Sequence, residues 1–253
     1  MIRQLADPKD LFRAAAEQVC RIGQLSLDTT GRFSIVLSGG STPRGLYELL
    51  AQSPYRSQLD WKKVEFFWGD ERAVPPDHPQ SNFRMAREAL LDKLNVPPEH
   101  VHRIRAEDPD LDKAAADYEE EVENVLGRVP GVGRRAPHFN LFLLGVGQDG
   151  HTASLFPHTA ALTETERWVV AHDVAKLSTK RITMTPPLIN KAHFITFLVA
   201  GSHKADVLAA VLQGPRDSQR YPAQLIHPLT GEVTWFVDRA ASASLIQYRR
   251  TEA

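Results

Sequence analysis

The apolar run from Phe139 to Leu144 stops at a glycine-rich turn, Gly145-Val-Gly-Gln-Asp-Gly-His151. A run of that length and character reads as a strand buried on both faces, hence a strand of a parallel sheet. In open α/β sheets, ligands bind in the crevice beyond the carboxyl ends of such strands. An acid, Asp149, and a proton-transfer side chain, His151, are therefore delivered to the place where such a fold does its chemistry.

The rest of the chain repeats this alternation. Phe33–Leu37, Val64–Trp68, Phe194–Val199 and Val233–Val237 also read as strands. Amphipathic stripes lie between them: Leu11, Ala15, Val19, Ile22; then Phe83, Ala86, Leu90, Leu94, with Ser81 as N-cap. A third stripe is Leu111, Ala115, Tyr118, Val122, Val125, and a fourth is Ala205, Leu208, Ala209, Leu212. The pattern predicts an α/β fold: a doubly wound, mainly parallel, Rossmann-like sheet flanked by helices, with room for a small lid. At 253 residues, without repeat or linker, residues 1–253 are expected to form one domain. Arg128–Pro137, rich in Gly, Pro and Arg, is expected to be a surface loop.

Charge narrows the function classes. Thirty basic side chains against 31 acidic ones give a net charge of -1, so there is no electrostatic case for nucleic acid or a membrane surface. Any anionic ligand must be held by local cations. Cys20 is the only cysteine, which excludes an intrachain disulfide and fits a reducing, cytoplasmic setting. Met1–Pro8 lacks a long apolar stretch, so no signal peptide is expected, and no run reaches the ~20 residues of a membrane span.

Four segments carry candidate chemistry. In Ser38-Gly39-Gly40-Ser41-Thr42-Pro43, between a strand and a helix, the glycines admit a ligand close to the backbone. Free N–H groups and the Ser41 and Thr42 hydroxyls could then hold a phosphate. The same loop also fits a tight turn with an ordinary N-cap. It lacks the Gly-Lys-Ser/Thr ending of a Walker loop. Trp68-Gly-Asp70-Glu-Arg72, followed by Pro75, Pro76, His78, Ser81 and Asn82, places Asp70 and Arg72 at another strand end. A structural ion pair is the alternative there.

The third segment, Gly145–Gly150, formally matches the dinucleotide fingerprint. Asp149 would put a negative charge where the pyrophosphate belongs, and Pro157 opposes the helix that must follow. A turn presenting Asp149 and His151 to a small substrate fits better. The fourth comprises Lys180-Arg181-Ile-Thr and Gly201-Ser-His-Lys204, where Arg181 and Lys204 could reach an anion or merely be solvated. There is no HExxH, paired cysteine or carboxylate cluster, so neither metal nor cofactor is expected.

Taken in order, these segments resemble the 6-phosphogluconolactonase family. The resemblance rests on Ser38-Gly-Gly-Ser-Thr-Pro, Trp68-Gly-Asp-Glu-Arg with Ser81-Asn82, Gly145-Val-Gly-Gln-Asp-Gly-His-Thr, Arg181-Ile-Thr and Gly201-Ser-His-Lys. It runs from about Leu5 to about Val237. It implies hydrolysis of 6-phospho-D-glucono-1,5-lactone to 6-phosphogluconate in the pentose phosphate pathway. His151 would activate water, and Gly39, Gly40, Ser41, Thr42, Arg181 and Lys204 would hold the phosphate. Asp149, Arg72 and Asp70 would belong to the catalytic group: Arg72 facing the sugar or the oxyanion, Asp70 orienting Arg72 or a hydroxyl, and Asp149 orienting His151 or supporting the turn.

The expected partner is thus a small sugar-phosphate lactone, with oligomeric state left open. A glucosamine-6-phosphate deaminase or isomerase on the same fold is the alternative, and a sugar-phosphate sensor without turnover is another. The related deaminases carry a glutamate seven residues after the aspartate of their Asp-Gly-His. Here Phe156 stands there and cannot transfer protons.

Overall fold

In the computed structural model, residues 1–129, 133–134 and 137–246 are described. The strands are β1 (Ile2–Leu5), β2 (Phe33–Leu37), β3 (Val64–Trp68), β4 (Asp70–Arg72), β5 (Val101–His102), β6 (Arg128–Val129), β7 (Gly133–Arg134), β8 (Leu141–Leu144), β9 (Val169–Val174), β10 (Thr179–Met184), β11 (Phe194–Val199) and β12 (Glu232–Asp238). The helices are α1 (Pro8–Thr30), α2 (Ser41–Leu50), α3 (Asn82–Ala86), α4 (Asp92–Leu94), α5 (Leu111–Val122), α6 (Pro186–Ile189) and α7 (Ala205–Gln213).

Seven strands form the main sheet in the order β1-β12-β11-β8-β2-β3-β5, and every pairing is parallel. The expected mainly parallel α/β architecture is what forms. Strands β2 and β8 are buried at every position, because helices cover both faces. The order has one reversal: the chain moves outward from β2 through β3 to β5, then outward the other way from β8 through β11 to β12. Neighbours β2 and β8 therefore flank the topological switch point, where the crevice opens. Asn140 fixes their register, since its Oδ1 accepts from the Ser34 amide at 2.8 Å and from the Ser34 hydroxyl at 2.9 Å. That side-chain pairing replaces part of the ladder, so regular strand begins at Leu141 rather than at Phe139.

Helix α1 starts where Asp7 accepts from the Asp10 amide, and stops at Gly31 with φ 74°. Its expected stripe, Leu11, Ala15, Val19 and Ile22, is buried against the sheet. Ser81 caps α3 as expected, accepting from the Arg84 amide. The predicted single helix from there to Leu94 is instead interrupted by a π-helical turn over Arg87–Leu91. Ala115, Tyr118 and Val122 of α5 are buried as predicted. In α7 the buried face is Ala205, Val207, Leu208 and Val211, whereas Ala209 and Leu212 are only half-buried. A 3-10 turn over Ser202–Lys204 leads directly into that helix.

A second, antiparallel sheet orders as β4-β10-β9 and was not anticipated. It begins at Gly69, whose amide still bonds to Leu37 in the main sheet while its carbonyl accepts from Met184. Of the segment expected as a surface loop, Arg128–Val129 pairs with Gly133–Arg134, while residues 130–132 and 135–136 lie outside the described residues. No helix among the described residues is long and apolar enough to cross a membrane.

Candidate active site

Loops after β2, β3, β8 and β11 meet at the switch point. They enclose a cavity of about 290 Å³ lined by Gly39–Pro43, Asp70, Arg72, Asn82, Gly145–Gly147, His151 and Lys204, among others. An adjoining chamber of about 370 Å³ shares Asp70, Arg72, Gly147, His151 and Lys204, and adds Asp149, Lys176 and Arg181. The structure thus gathers all ten residues singled out in the sequence around one crevice. Arg181 does not line the chamber floored by the glycine loop. It enters from the side of Arg72, to which it is paired in register across β10 and β4. Lys204 borders both chambers.

The Gly145–His151 turn is built from short bonds. The Gly147 amide donates to the His151 carbonyl at 2.8 Å, and Thr152 Oγ1 donates to the Gly145 carbonyl at 2.8 Å. A side chain on Gly147 would overlap the His151 ring, so this position has to be glycine. After His151 the chain makes a lone Thr152–Leu155 bridge and turns rather than a helix, which disposes of the dinucleotide reading.

His151 Nδ1 lies 2.5 Å from Asp149 Oδ1. A carboxylate can only accept, so Nδ1 carries a proton, and in the neutral ring Nε2 is the atom with the lone pair. Nε2 has no partner among the described residues. Phe156 stacks on the imidazole with centroids 4.1 Å apart and planes at 28°. The ring is thus fixed at one edge and on one face. Lys176 Nζ donates to the other Asp149 oxygen at 3.0 Å. Burial opposes ionisation of Asp149, but the His151 and Lys176 contacts prevail and hold its carboxyl well below the usual carboxylate range.

Asp70 is buried and does not pair with Arg72. Its Oδ2 accepts from Ser154 Oγ at 2.6 Å, and its backbone carbonyl accepts from Asn82 Nδ2 at 2.9 Å. Ser154 is itself held: its carbonyl accepts from His172 Nε2 at 2.8 Å. Burial lowers the His172 pKa, consistent with a neutral ring donating there. Arg72 donates to the Gln80 carbonyl at 2.5 Å.

Between Asp70 and Arg72, Glu71 turns away from the cavity. Its carboxylate accepts from the amides of Arg72, Asn82 and Phe83 and from Ser81 Oγ, all within 3.0 Å. Burial nevertheless raises its pKa. Glu71 thereby ties β4 to the start of α3 and places Asn82 against the cavity.

Burial lowers the pKa of Arg181, with help from the neighbouring Arg72 charge, and burial likewise lowers that of Lys204. Both cations are poised to gain from an arriving anion. Among the described residues no cluster of His, Cys, Asp or Glu could hold a metal ion.

Sequence reasoning missed Lys176, Ser154 and the stacking role of Phe156. Glu71, Asn82 and Ser38 were inside quoted motifs but had no role assigned. Ser154 and Lys176 carry no local signal, because they reach the site from the segments that feed the unanticipated sheet.

Fold and crevice define a class: an open parallel α/β protein with a small-ligand site at its switch point. Within that class, residues 6–235 match the model of the glucosamine-6-phosphate isomerases/6-phosphogluconolactonase family, and the chain belongs to it. A 6-phosphogluconolactonase from a Nostoc species is 40% identical over 96% of this chain and 98% of its own length. One from a Synechocystis species is 44% identical over 85% of each chain. A solved 6-phosphogluconolactonase from Trypanosoma cruzi superposes with a TM-score of 0.84 over 97% of each chain, at 30% identity.

Proposed function

We propose that the protein hydrolyses 6-phospho-D-glucono-1,5-lactone to 6-phospho-D-gluconate, the ring-opening step of the oxidative pentose phosphate pathway. The observation that carries this reading is the Asp149–His151 pair, whose free Nε2 belongs to a wall of a small cavity. Nε2 takes a proton from water as the water oxygen bonds to the lactone carbonyl carbon. The tetrahedral intermediate then breaks its bond to the ring oxygen, and the imidazolium returns the proton to that leaving oxygen. Asp149 keeps the productive tautomer and offsets the transient positive charge on the ring. Arg72, which lines both chambers beside His151, faces the developing oxyanion.

The phosphate is held by Gly39, Gly40, Ser41 and Thr42 with Lys204, and Arg181 adds its charge from the neighbouring chamber. Holding that remote group places the ester carbonyl against His151. The deaminase alternative lacks its proton carrier, since Phe156 stacks on His151 where a glutamate would be needed. The buried, unpaired Cys20, with a thiol pKa raised by burial to about 11, suits a cytoplasmic setting.

The test is proton release from freshly prepared lactone at constant pH, corrected for spontaneous hydrolysis. His151→Ala is expected to cut kcat by about two decades or more. A variant with near wild-type turnover above background would remove His151 from the mechanism.

A further inference from the structure

Two residues of the cavity wall each carry a polar atom with no partner among the described residues. Ser38 Oγ and Asn82 Oδ1 are both buried without a hydrogen bond, in residues only 6% and 2% exposed. Both residues line the cavity that also holds His151. Leaving a buried polar group unsatisfied is costly, so its persistence in a ligand cavity points to a ligand that satisfies it.

The chemistry of the wall says which part of a ligand that is. Asn82 Nδ2 donates to the Asp70 carbonyl at 2.9 Å and to Asp70 Oδ1 at 3.3 Å. Both are acceptors, so the amide cannot be turned over, and Oδ1 is the atom left unpartnered. Oδ1 packs against Gly39, the residue after Ser38, where any side chain would collide with it. Asp70 adds a carboxylate to the same wall. A dianionic phosphate has only acceptors and is repelled by such a surface. A hydroxyl group fits it, donating to Asn82 Oδ1 while Ser38 Oγ donates to or accepts from it.

We infer that Ser38 and Asn82 form a subsite for a ring hydroxyl of the sugar lactone, and that this subsite sets which end of the substrate enters the phosphate loop. The inference rests on the lactonase reading of the same cavity. It adds specificity-determining residues to it: the acceptor wall of Asn82 and Asp70 takes hydroxyls, while the loop and Lys204 take the phosphate.

Ser38→Ala tests this cleanly, because the hydroxyl it removes makes no bond among the described residues. Its thermal midpoint should equal or exceed that of wild type. Its kcat/KM for the lactone should nevertheless fall about tenfold, the loss of one hydrogen bond of ordinary strength. The 2-, 3- and 4-deoxy lactones of 6-phosphogluconate then locate the contact. With wild type, one of them should lose about tenfold in kcat/KM, and Ser38→Ala should lose nothing further on that analogue alone. Asn82→Ala, checked for folding by circular dichroism, should show the same non-additivity.

Unchanged kcat/KM in Ser38→Ala would overturn the subsite and leave a bound water as the partner of these atoms. So would losses that add fully for all three analogues. If the wild-type enzyme fails on the parent lactone, the lactonase reading falls and the subsite built on it falls too.

Discussion

Replacing Asp149 by asparagine tests how His151, the proposed base, is held. Asp149 uses one oxygen for His151 at 2.5 Å and the other for Lys176 at 3.0 Å. Asparagine has one acceptor oxygen for those two donors. Lys176 is 69% exposed at its side chain and can turn into water at little cost, so His151 should keep the oxygen. The tautomer then survives, but the contact loses its charge. Charge-assisted bonds are worth about 1.5–3 kcal/mol, so exchanging one for a neutral bond costs at most that, a drop of about 10–150-fold in kcat. KM should change little, because the phosphate contacts are untouched. The assay is initial-rate proton release over a lactone series, in the single variant and with Lys176→Met added. The double variant should lose nothing more, since Lys176 acts only through the charge that asparagine has removed. A near wild-type kcat in Asp149→Asn, or a loss confined to KM, would show that His151 is oriented by something else.

Lys204 borders both chambers and Arg181 only one, so Lys204→Ala should weaken 6-phosphogluconate binding more. The expected Kd increase for Lys204→Ala is about 10–150-fold by titration calorimetry, and an equal or larger effect at Arg181 would move the phosphate into the second chamber. Glucosamine-6-phosphate should release no ammonia above background, and steady release in a coupled assay would restore the deaminase alternative. Outside the site, His102 lies between Glu121 at 2.8 Å and Glu65 at 2.9 Å, and although burial opposes it, these partners raise its pKa to about 9. A raised histidine pKa gives stability that is complete below the unfolded value of ~6.5 and lost as pH rises through the folded value. The melting temperature should therefore fall between about pH 6.5 and 9, by on the order of 5–10 °C, and His102→Gln should flatten that slope.

How much of this was legible in the sequence depends on how local the cause is. Strands β2, β3 and β11 have the predicted ends, because each is a short, mainly apolar run, interrupted only by Ser34, Glu65 or Thr196, of the length a buried strand needs. The Gly145–His151 turn was legible because its glycines, acid and histidine are neighbours in the chain. The β4-β10-β9 sheet was not, since β10 pairs with β4 across more than a hundred residues and His172-Asp173 interrupts the apolar pattern of β9. The roles of Ser38 and Asn82 could not have been read at all, because they rest on partners the atoms lack.

Asp70-Glu71-Arg72 shows what a missing element conceals. In a strand, successive side chains point to opposite faces. Had β4 been recognised, alternation alone would have put Asp70 and Arg72 on one face and Glu71 on the other. The structure has this division, with Asp70 and Arg72 on the cavity and Glu71 tied to the amides that open α3. The ion pair weighed for Asp70 and Arg72 does not form, because each is drawn off by a different neighbour, Ser154 for the acid and the Gln80 carbonyl for the base. Removing Glu71 should therefore harm the site without touching it, by loosening Asn82 and Arg72 together.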